Sequence, residues 1–251
     1  FSWLNIKQKK NIELSSKFSK IFISSSGTTG NQKFIIHSFQ TLWDSATAFN
    51  LSHDIKDKKY RFWNFLPMSY LGGIFNLLLI PLNSGGSILI DAPFSGLTFL
   101  SFWRDFDRYD IDVIWIVPTI ARGLIKLKNR INHKLLEICK IKCKKSFVGT
   151  APISSEEKEI FKNLFGIRLL DNYGLTETTF ISSDFESNKS KKWSKSVGKK
   201  MPNVELKFKN IEDKIQLAVR TPFLFEGYLK EDGIIEKPQL NEGFFLTGDI
   251  V

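Results

Sequence analysis

The sequence predicts an α/β protein: a layered α/β sheet followed by a small β subdomain. Three observations carry this prediction. From residue 20 to about residue 170, short apolar runs of strand period alternate with longer runs of helical period, the order expected of a sheet covered by helices. Beyond about residue 195 the pattern changes to short runs broken by Gly or Pro turns, "NVELKFK", "KIQLAVR", "GYLK" and "GFFLTGD", which suits antiparallel strands. The 251-residue chain is 42% hydrophobic and 14% aromatic, enough to fill a substantial core. The expected division is an α/β unit over residues 1–195 and a β unit over 196–251.

The elements follow in order. Alternation predicts strands at 20–24 and 33–37, and helical spacing predicts a helix from about Thr41 to Phe49. Then come a strand at 62–66, a helix from about Gly73 to Leu82, a strand at 87–90, a helix at 98–108, a strand at 113–117 and a helix near 119–128. A further helix at 132–140 and a strand at 145–148 precede "PISSEEKEI", where Ser154 or Ser155 can cap a helix and Glu156 and Glu157 occupy its first turn. A strand at 167–170 completes the alternation. The longest apolar run, Leu71 to Leu82, is too short and too interrupted by Asn76 and Pro81 to span a membrane, so a cytoplasmic protein is expected. The chain opens on Phe1 and ends in "FFLTGDIV", a strand in progress, so a piece of a longer chain is expected.

The formal net charge of +10 would suit an anionic partner. Its lysines are spread over "IKQKK", "KDKKY", "KIKCKK" and "KSKKWSKSVGKK", without arginine clusters or interleaved aromatics, so solvated loops and helix faces are expected and not a nucleic-acid surface. Cys139 and Cys143 with His133 would give at most three ligands in a spacing that fits no common zinc pattern, and reduced thiols are expected.

Three stretches could carry chemistry. In "SSSGTTGNQK", Ser25 and Ser26 precede Gly27, Thr28, Thr29 and Gly30, and Lys33 follows. Glycines free backbone N–H groups to turn toward a ligand, hydroxyls add donors and the lysine adds charge, a set suited to polyphosphate. It is not a Walker A loop, because Gln32 and Phe34 flank the lysine; a plain hairpin tip is the alternative reading. In "LLDNYGLTETTF", Asp171, Asn172, Tyr173, Gly174, Thr176 and Glu177 follow an apolar strand, where open α/β sheets place ligands. Glu177 offers a carboxylate to Mg²⁺ and Thr176 a hydroxyl to phosphate; the alternative is a strand end leading into a capped helix. In "GFFLTGDIV", Asp249 can accept both hydroxyls of a ribose, or the segment is a hairpin turn.

Together and in this order, "SSGTTGNQK", "NYGLTE" and "TGD" resemble the phosphate loop, the adenine and magnesium segment and the ribose segment of the AMP-forming adenylate ligases, the acyl-CoA synthetase superfamily. "LPMSYLGG" at 66–73, "VPT" at 117–119, "GTAP" at 149–152, "SVGKKMPNVELKF" at 196–208 and "LAVRTPFLFEGY" at 217–228 extend the resemblance over nearly the whole chain from Ile21. It implies the fold of that superfamily's large N-terminal domain. It also implies activation of a carboxylic acid by ATP and Mg²⁺ as an acyl-adenylate, then transfer to a thiol of CoA or of a carrier protein's phosphopantetheine arm. By position, Ser25, Ser26, Thr28, Thr29 and Lys33 would cradle phosphates, and Gly149, Thr150, Ala151 and the Tyr173 ring would hold adenine. Thr176 would touch the α-phosphate, Glu177 bind Mg²⁺, Asp249 hold ribose, and Tyr70 with Gly149 border the acyl group. There are departures: Gln32 replaces the usual proline, Phe39 stands at the usual histidine, which leaves His37 as a structural histidine, and Ser69-Tyr70 replaces an aromatic-histidine pair. The superfamily's preceding segment of about 150 residues, of the order of one domain, and its C-terminal lid domain with the adenylation lysine have no counterpart here, so nucleotide binding with slow or no turnover is expected, and an incomplete sheet edge could support self-association. No Asp lies in Leu66 to Gly73, which favours an aliphatic or aryl acid over an amino acid.

Overall fold

The computed structural model describes residues 19–26, 32–130, 132–186 and 196–251. Strand β1 (Lys20–Ser26) pairs antiparallel with β2 (Gln32–Ser38), and Ser38 caps α1 (Phe39–Ser52) by accepting from the Thr41 amide. Strand β3 (Arg61–Asn64) leads to a π-helix (Gly72–Leu79) that runs into a short α2 (Ile80–Asn83). Strand β4 (Ser87–Ile90), helix α3 (Gly96–Arg108), strand β5 (Val113–Ile116) and helix α4 (Pro118–Lys126) follow. Helix α5 (His133–Lys142), strand β6 (Lys145–Gly149) and helix α6 (Ser155–Phe165) continue the alternation. A hairpin of β7 (Leu170–Leu175) and β8 (Thr179–Ser183) comes next. The remaining strands are β9 (Lys199–Lys200), β10 (Glu205–Ile211), β11 (Lys214–Arg220), β12 (Gly227–Leu229), β13 (Ile235–Glu236), β14 (Leu240–Asn241) and β15 (Phe244–Ile250).

These strands form three sheets. The largest has the order β4-β3-β5-β6-β7-β8-β9, parallel through β7 and antiparallel at β8 and β9. A second is β1-β2-β12-β13 and a third β10-β11-β15-β14, both antiparallel. The layered α/β class and the smaller β region both match the prediction. Residues after 195 nonetheless supply strands to all three sheets, because β9 adds to the large sheet and β12 pairs with β2.

Two elements differ from their sequence expectation. The strand expected at 167–170 starts at Leu170 and continues through the "NYG" segment to Leu175, where the chain turns back as β8 with no helix following. Gly174 permits this: a Cβ there would lie 1.9 Å from the Thr179 carbonyl oxygen, so only glycine lets the bulged strands approach. The apolar run from Gly72 forms a π-helix, and the Asn64 amide donates to the Gly73 carbonyl in its first turn at 3.1 Å.

The main core packs β-sheet aromatics against helices. Trp115 lies 5.1 Å from Phe49, 4.7 Å from Phe147 and 5.6 Å from Phe180, and Phe102 stacks on Trp63 at 5.2 Å. A smaller core of Ile35, Phe225 and Phe245 joins the second and third sheets. Beneath β7, the Lys158 side chain is 2% exposed and reaches Asp171 at 3.1 Å and Asp184 at 3.7 Å. Burial raises the Asp171 carboxyl above its ordinary range, and the Lys158 charge opposes that shift. Two histidines are also enclosed: burial lowers His37 to about 4 and His53 to about 3, the charge of Lys145 adding to the second. Cys139 and Cys143 are free thiols, each pushed up to about 12 mainly by burial, which leaves them unreactive.

Two predictions follow from the buried charges. Lys158→Met strands Asp171 beside Asp184 and should lower the unfolding free energy by about 3–5 kcal/mol, read from urea denaturation at pH 7. His37 and His53 are neutral in the fold down to about 4 and 3, while the unfolded chain takes up protons below 6.5. Stability should therefore be intact above pH 6.5 and fall as pH drops toward 4, by up to about 1.4 kcal/mol per pH unit per histidine. His53→Gln should make the fall shallower in urea midpoints recorded from pH 7 to 4.5.

Candidate functional site

The C-terminal ends of the parallel strands, where this class of sheet binds ligands, open into a cavity of about 1110 Å³. All three sheets contribute to its wall. From the second sheet come Ser24 and Lys33; from the large sheet come Gly149, Thr150, Asn172 and Gly174; from the third come Thr247, Gly248 and Asp249. Thr176 and Glu177 project from the β7–β8 turn. Tyr70, Leu71, Trp115 and Phe180 add mostly carbon surface to the same wall.

Local structure explains how each side chain arrives. Ser24 is fixed by two bonds to the Ser69 carbonyl, from its amide at 3.0 Å and its hydroxyl at 2.8 Å, which ties β1 to the "LPMSYLGG" turn. Tyr70 follows, half-buried over Gly72, where a Cβ would lie 2.8 Å from its ring; burial raises its phenol pKa. Thr150 adopts φ +73°, a conformation that favours glycine and is costly for a β-branched residue. Asn172 is held by the Ser183 hydroxyl, which donates to its Oδ1 at 2.6 Å and also meets His53 Nε2 at 2.9 Å.

The Thr176–Glu177 turn is clamped from outside. The buried His37 ring donates through Nε2 to the Thr176 carbonyl at 2.7 Å, which fixes the proton on that nitrogen. The Phe225 amide donates to the Glu177 carbonyl at 2.8 Å, and the Tyr228 hydroxyl donates to Glu177 Oε1 at 3.0 Å. Asp249, after Gly248 at φ +83°, accepts from the Tyr173 hydroxyl. Burial and then the Asp249 carboxylate raise the Tyr173 phenol pKa, so it keeps its proton and remains a donor.

Of the residues singled out from sequence, Lys33, Tyr70, Gly149, Thr150, Asn172, Gly174, Thr176, Glu177 and Asp249 share this cavity. Ala151, Asp171 and Tyr173 are not on its wall: Asp171 is engaged by Lys158 below the sheet, and Tyr173 reaches the site through Asp249. Gly27, Thr28, Thr29 and Gly30 lie outside the described residues. Ser25 and Ser26 are placed by their backbone pairing with Lys33 and Gln32. Sequence reasoning missed His37 as the support of Thr176, and it missed Tyr228 and Asn76. Asn76 lines the cavity with its Oδ1 buried and without a donor among the described residues. Only the "FEGY" match pointed near Tyr228. Among the described residues no three His, Cys, Asp or Glu side chains gather to hold a metal, and no helix is long and apolar enough to cross a membrane.

Comparison with known proteins agrees with this fold. The chain is 26% identical over 256 residues to "Probable CoA ligase CCL8" of Humulus lupulus, covering 95% of this chain and 42% of that protein. It is 24% identical over 243 residues to the malonate–CoA ligase of Arabidopsis thaliana, covering 91% and 40%. The ATP-bound crystal structure of MatB from Rhodopseudomonas palustris superposes with a TM-score of 0.74 at 22% identity, covering 91% of this chain and 44% of that one. The chain thus spans about two fifths of the length of the curated relatives it matches. Its residues 15–229 match the family model described as AMP-binding enzyme, and with the fold in agreement the chain belongs to that family.

Proposed function

We propose that this chain binds ATP and a carboxylic acid in one cavity and takes part in forming an acyl-adenylate with release of pyrophosphate, before transfer of the acyl group to the thiol of CoA. The observation that carries this reading is the convergence of Lys33, Thr176, Glu177 and Asp249, from separate sheets, on a cavity whose wall also includes the carbon surface of Tyr70, Leu71, Trp115 and Phe180. The names of its relatives, CoA ligases in two plants, support CoA as the acceptor. A carrier-protein phosphopantetheine arm is the alternative thiol.

A carboxylate is a poor electrophile. One of its oxygens attacks the α-phosphorus, the bond to the bridging oxygen of pyrophosphate breaks, and the acid gains AMP as a leaving group. No protein nucleophile is needed, so the protein's part is positioning and charge neutralisation. Lys33 supplies positive charge toward the phosphates and the Thr176 hydroxyl a donor near the phosphorus. Asp249 accepts from ribose hydroxyls, while the backbone at Gly149 and Thr150 and the Asn172 side chain border the base. Glu177, a carboxylate on the cavity wall next to the Thr176 hydroxyl in sequence, offers hard oxygen donors that suit Mg²⁺, an ion that binds one or two carboxylates and completes its shell with phosphate oxygens and water. When bound, Mg²⁺ would neutralise phosphate charge as it develops on the leaving group. The apolar lining of Tyr70, Leu71, Trp115 and Phe180 provides no carboxylate for an α-amino group, which favours an aliphatic or aryl acid.

The test is carboxylate-dependent exchange of labelled pyrophosphate into ATP, with aliphatic, aryl and amino acids in separate pools. Exchange should require an aliphatic or aryl pool and should vanish in Glu177→Ala. Exchange only from a longer chain that includes the lid domain would make this piece a binding half without turnover, and none from either would overturn the ligase reading. Separately, Lys33→Ala should weaken ATP binding by about 1–3 kcal/mol, measured by calorimetry; an unchanged affinity would remove Lys33 from the phosphate site.

A further inference from the structure

Tyr228 lies off the cavity wall yet touches two of the groups that face into it. Its hydroxyl donates to Glu177 Oε1 at 3.0 Å, and Lys33 Nζ lies 5.5 Å from its ring centroid. Lys33 and Glu177 form no ion pair with each other within 4 Å, and among the described residues Glu177 Oε2 has no hydrogen-bond donor. The ring has little freedom: β12 is paired with β2, Tyr228 opposite Ile35, and the Phe225 ring meets it edge-on at 4.6 Å. The hydroxyl is therefore placed by the same two-strand unit that places Lys33. Burial and then the Glu177 charge raise the phenol pKa, so the group stays a donor.

We infer that Tyr228 is a positioning residue that presents Glu177 to a nucleotide-bound magnesium ion. It engages one carboxylate oxygen, leaves the other toward the cavity, and keeps Lys33 from neutralising the carboxylate before ligand arrives. This rests on the nucleotide-binding reading above. A free glutamate must surrender several torsions to ligate a cation, whereas one already hydrogen-bonded by a rigid tyrosine has surrendered them on folding. Groups that orient a ligating side chain in this way change metal affinity by roughly tenfold to a hundredfold when removed.

Tyr228→Phe keeps the ring beneath Lys33 and deletes only the hydroxyl. ATP binding to the wild type, Tyr228→Phe, Glu177→Ala and the double variant would be followed by calorimetry, with Mg²⁺ titrated and with EDTA, and the fold of each checked by thermal melting. The inference predicts that Tyr228→Phe leaves magnesium-free ATP affinity unchanged and raises the Mg²⁺ midpoint roughly tenfold to a hundredfold. In the Glu177→Ala background the same change should have no further effect. An unaltered Mg²⁺ midpoint in Tyr228→Phe, or an equal loss with and without Mg²⁺, would overturn it. No ATP binding by the wild type under any condition would instead overturn the nucleotide-binding reading, and the inference with it.

Discussion

The hydrogen bond from the buried His37 ring to the Thr176 carbonyl is the constraint on which the site depends. The turn between β7 and β8 stands where the large sheet changes from parallel to antiparallel pairing, and Thr176 and Glu177 lie between the two strands, outside the ladder. A carbonyl shielded from water and left without a donor is costly. Here the Thr176 and Glu177 carbonyls take theirs from His37 on β2 and from the Phe225 amide. The turn is thus held by groups remote in sequence, and its two functional side chains inherit their positions from a different sheet. A neutral imidazole suits this role: burial keeps His37 uncharged at physiological pH, and a single ring proton suffices for one carbonyl.

That arrangement makes the site a product of tertiary pairing. Residues 33–38 and 227–229 come together only when β2 and β12 pair, and Ile35, Phe225 and Phe245 close the gap to the third sheet with Leu175 and Tyr228 packed against them. Leu175 immediately precedes the Thr176 turn. The small apolar cluster therefore sets the distance between the lysine strand and the carboxylate turn, and Lys158 fixes the other flank by holding Asp171 and Asp184 beneath the same hairpin.

Much of this was legible in the sequence, for identifiable reasons. Amphipathic period marked α3 closely, and "PISSEEKEI" offered Ser154 or Ser155 as the cap of α6, of which Ser154 forms a capping box with Glu157. Lys33, Thr176, Glu177 and Asp249 could be picked out because each sits in a short polar run after an apolar strand. The β7–β8 hairpin was harder: its bulge at Tyr173 and Gly174 depends on contact with Thr179 across the turn, which no local propensity records. Asp171 shows the opposite error. It lies in a chemically suggestive motif, yet strand alternation turns it away from the cavity toward Lys158. His37 and Tyr228 act through long-range hydrogen bonds, 139 and 51 residues from their partners, and spacing cannot reveal such pairs.

Tyr173 shows how a residue outside the cavity can still shape it. A carboxylate has about four lone-pair sites, and the Tyr173 hydroxyl occupies one on Asp249. The backbone at Asp249 is fixed separately, its amide donating to the Thr247 hydroxyl at 3.1 Å, while that hydroxyl donates to the Leu217 carbonyl at 2.9 Å. Side chain and main chain are thereby anchored to two different sheets before any ligand binds. Because the phenol holds its proton, a pair of ribose hydroxyls would add to the existing hydrogen bond and would not compete with it. The orienting entropy of this carboxylate is settled during folding, so on the proposed reading a nucleotide would meet an Asp249 already in place.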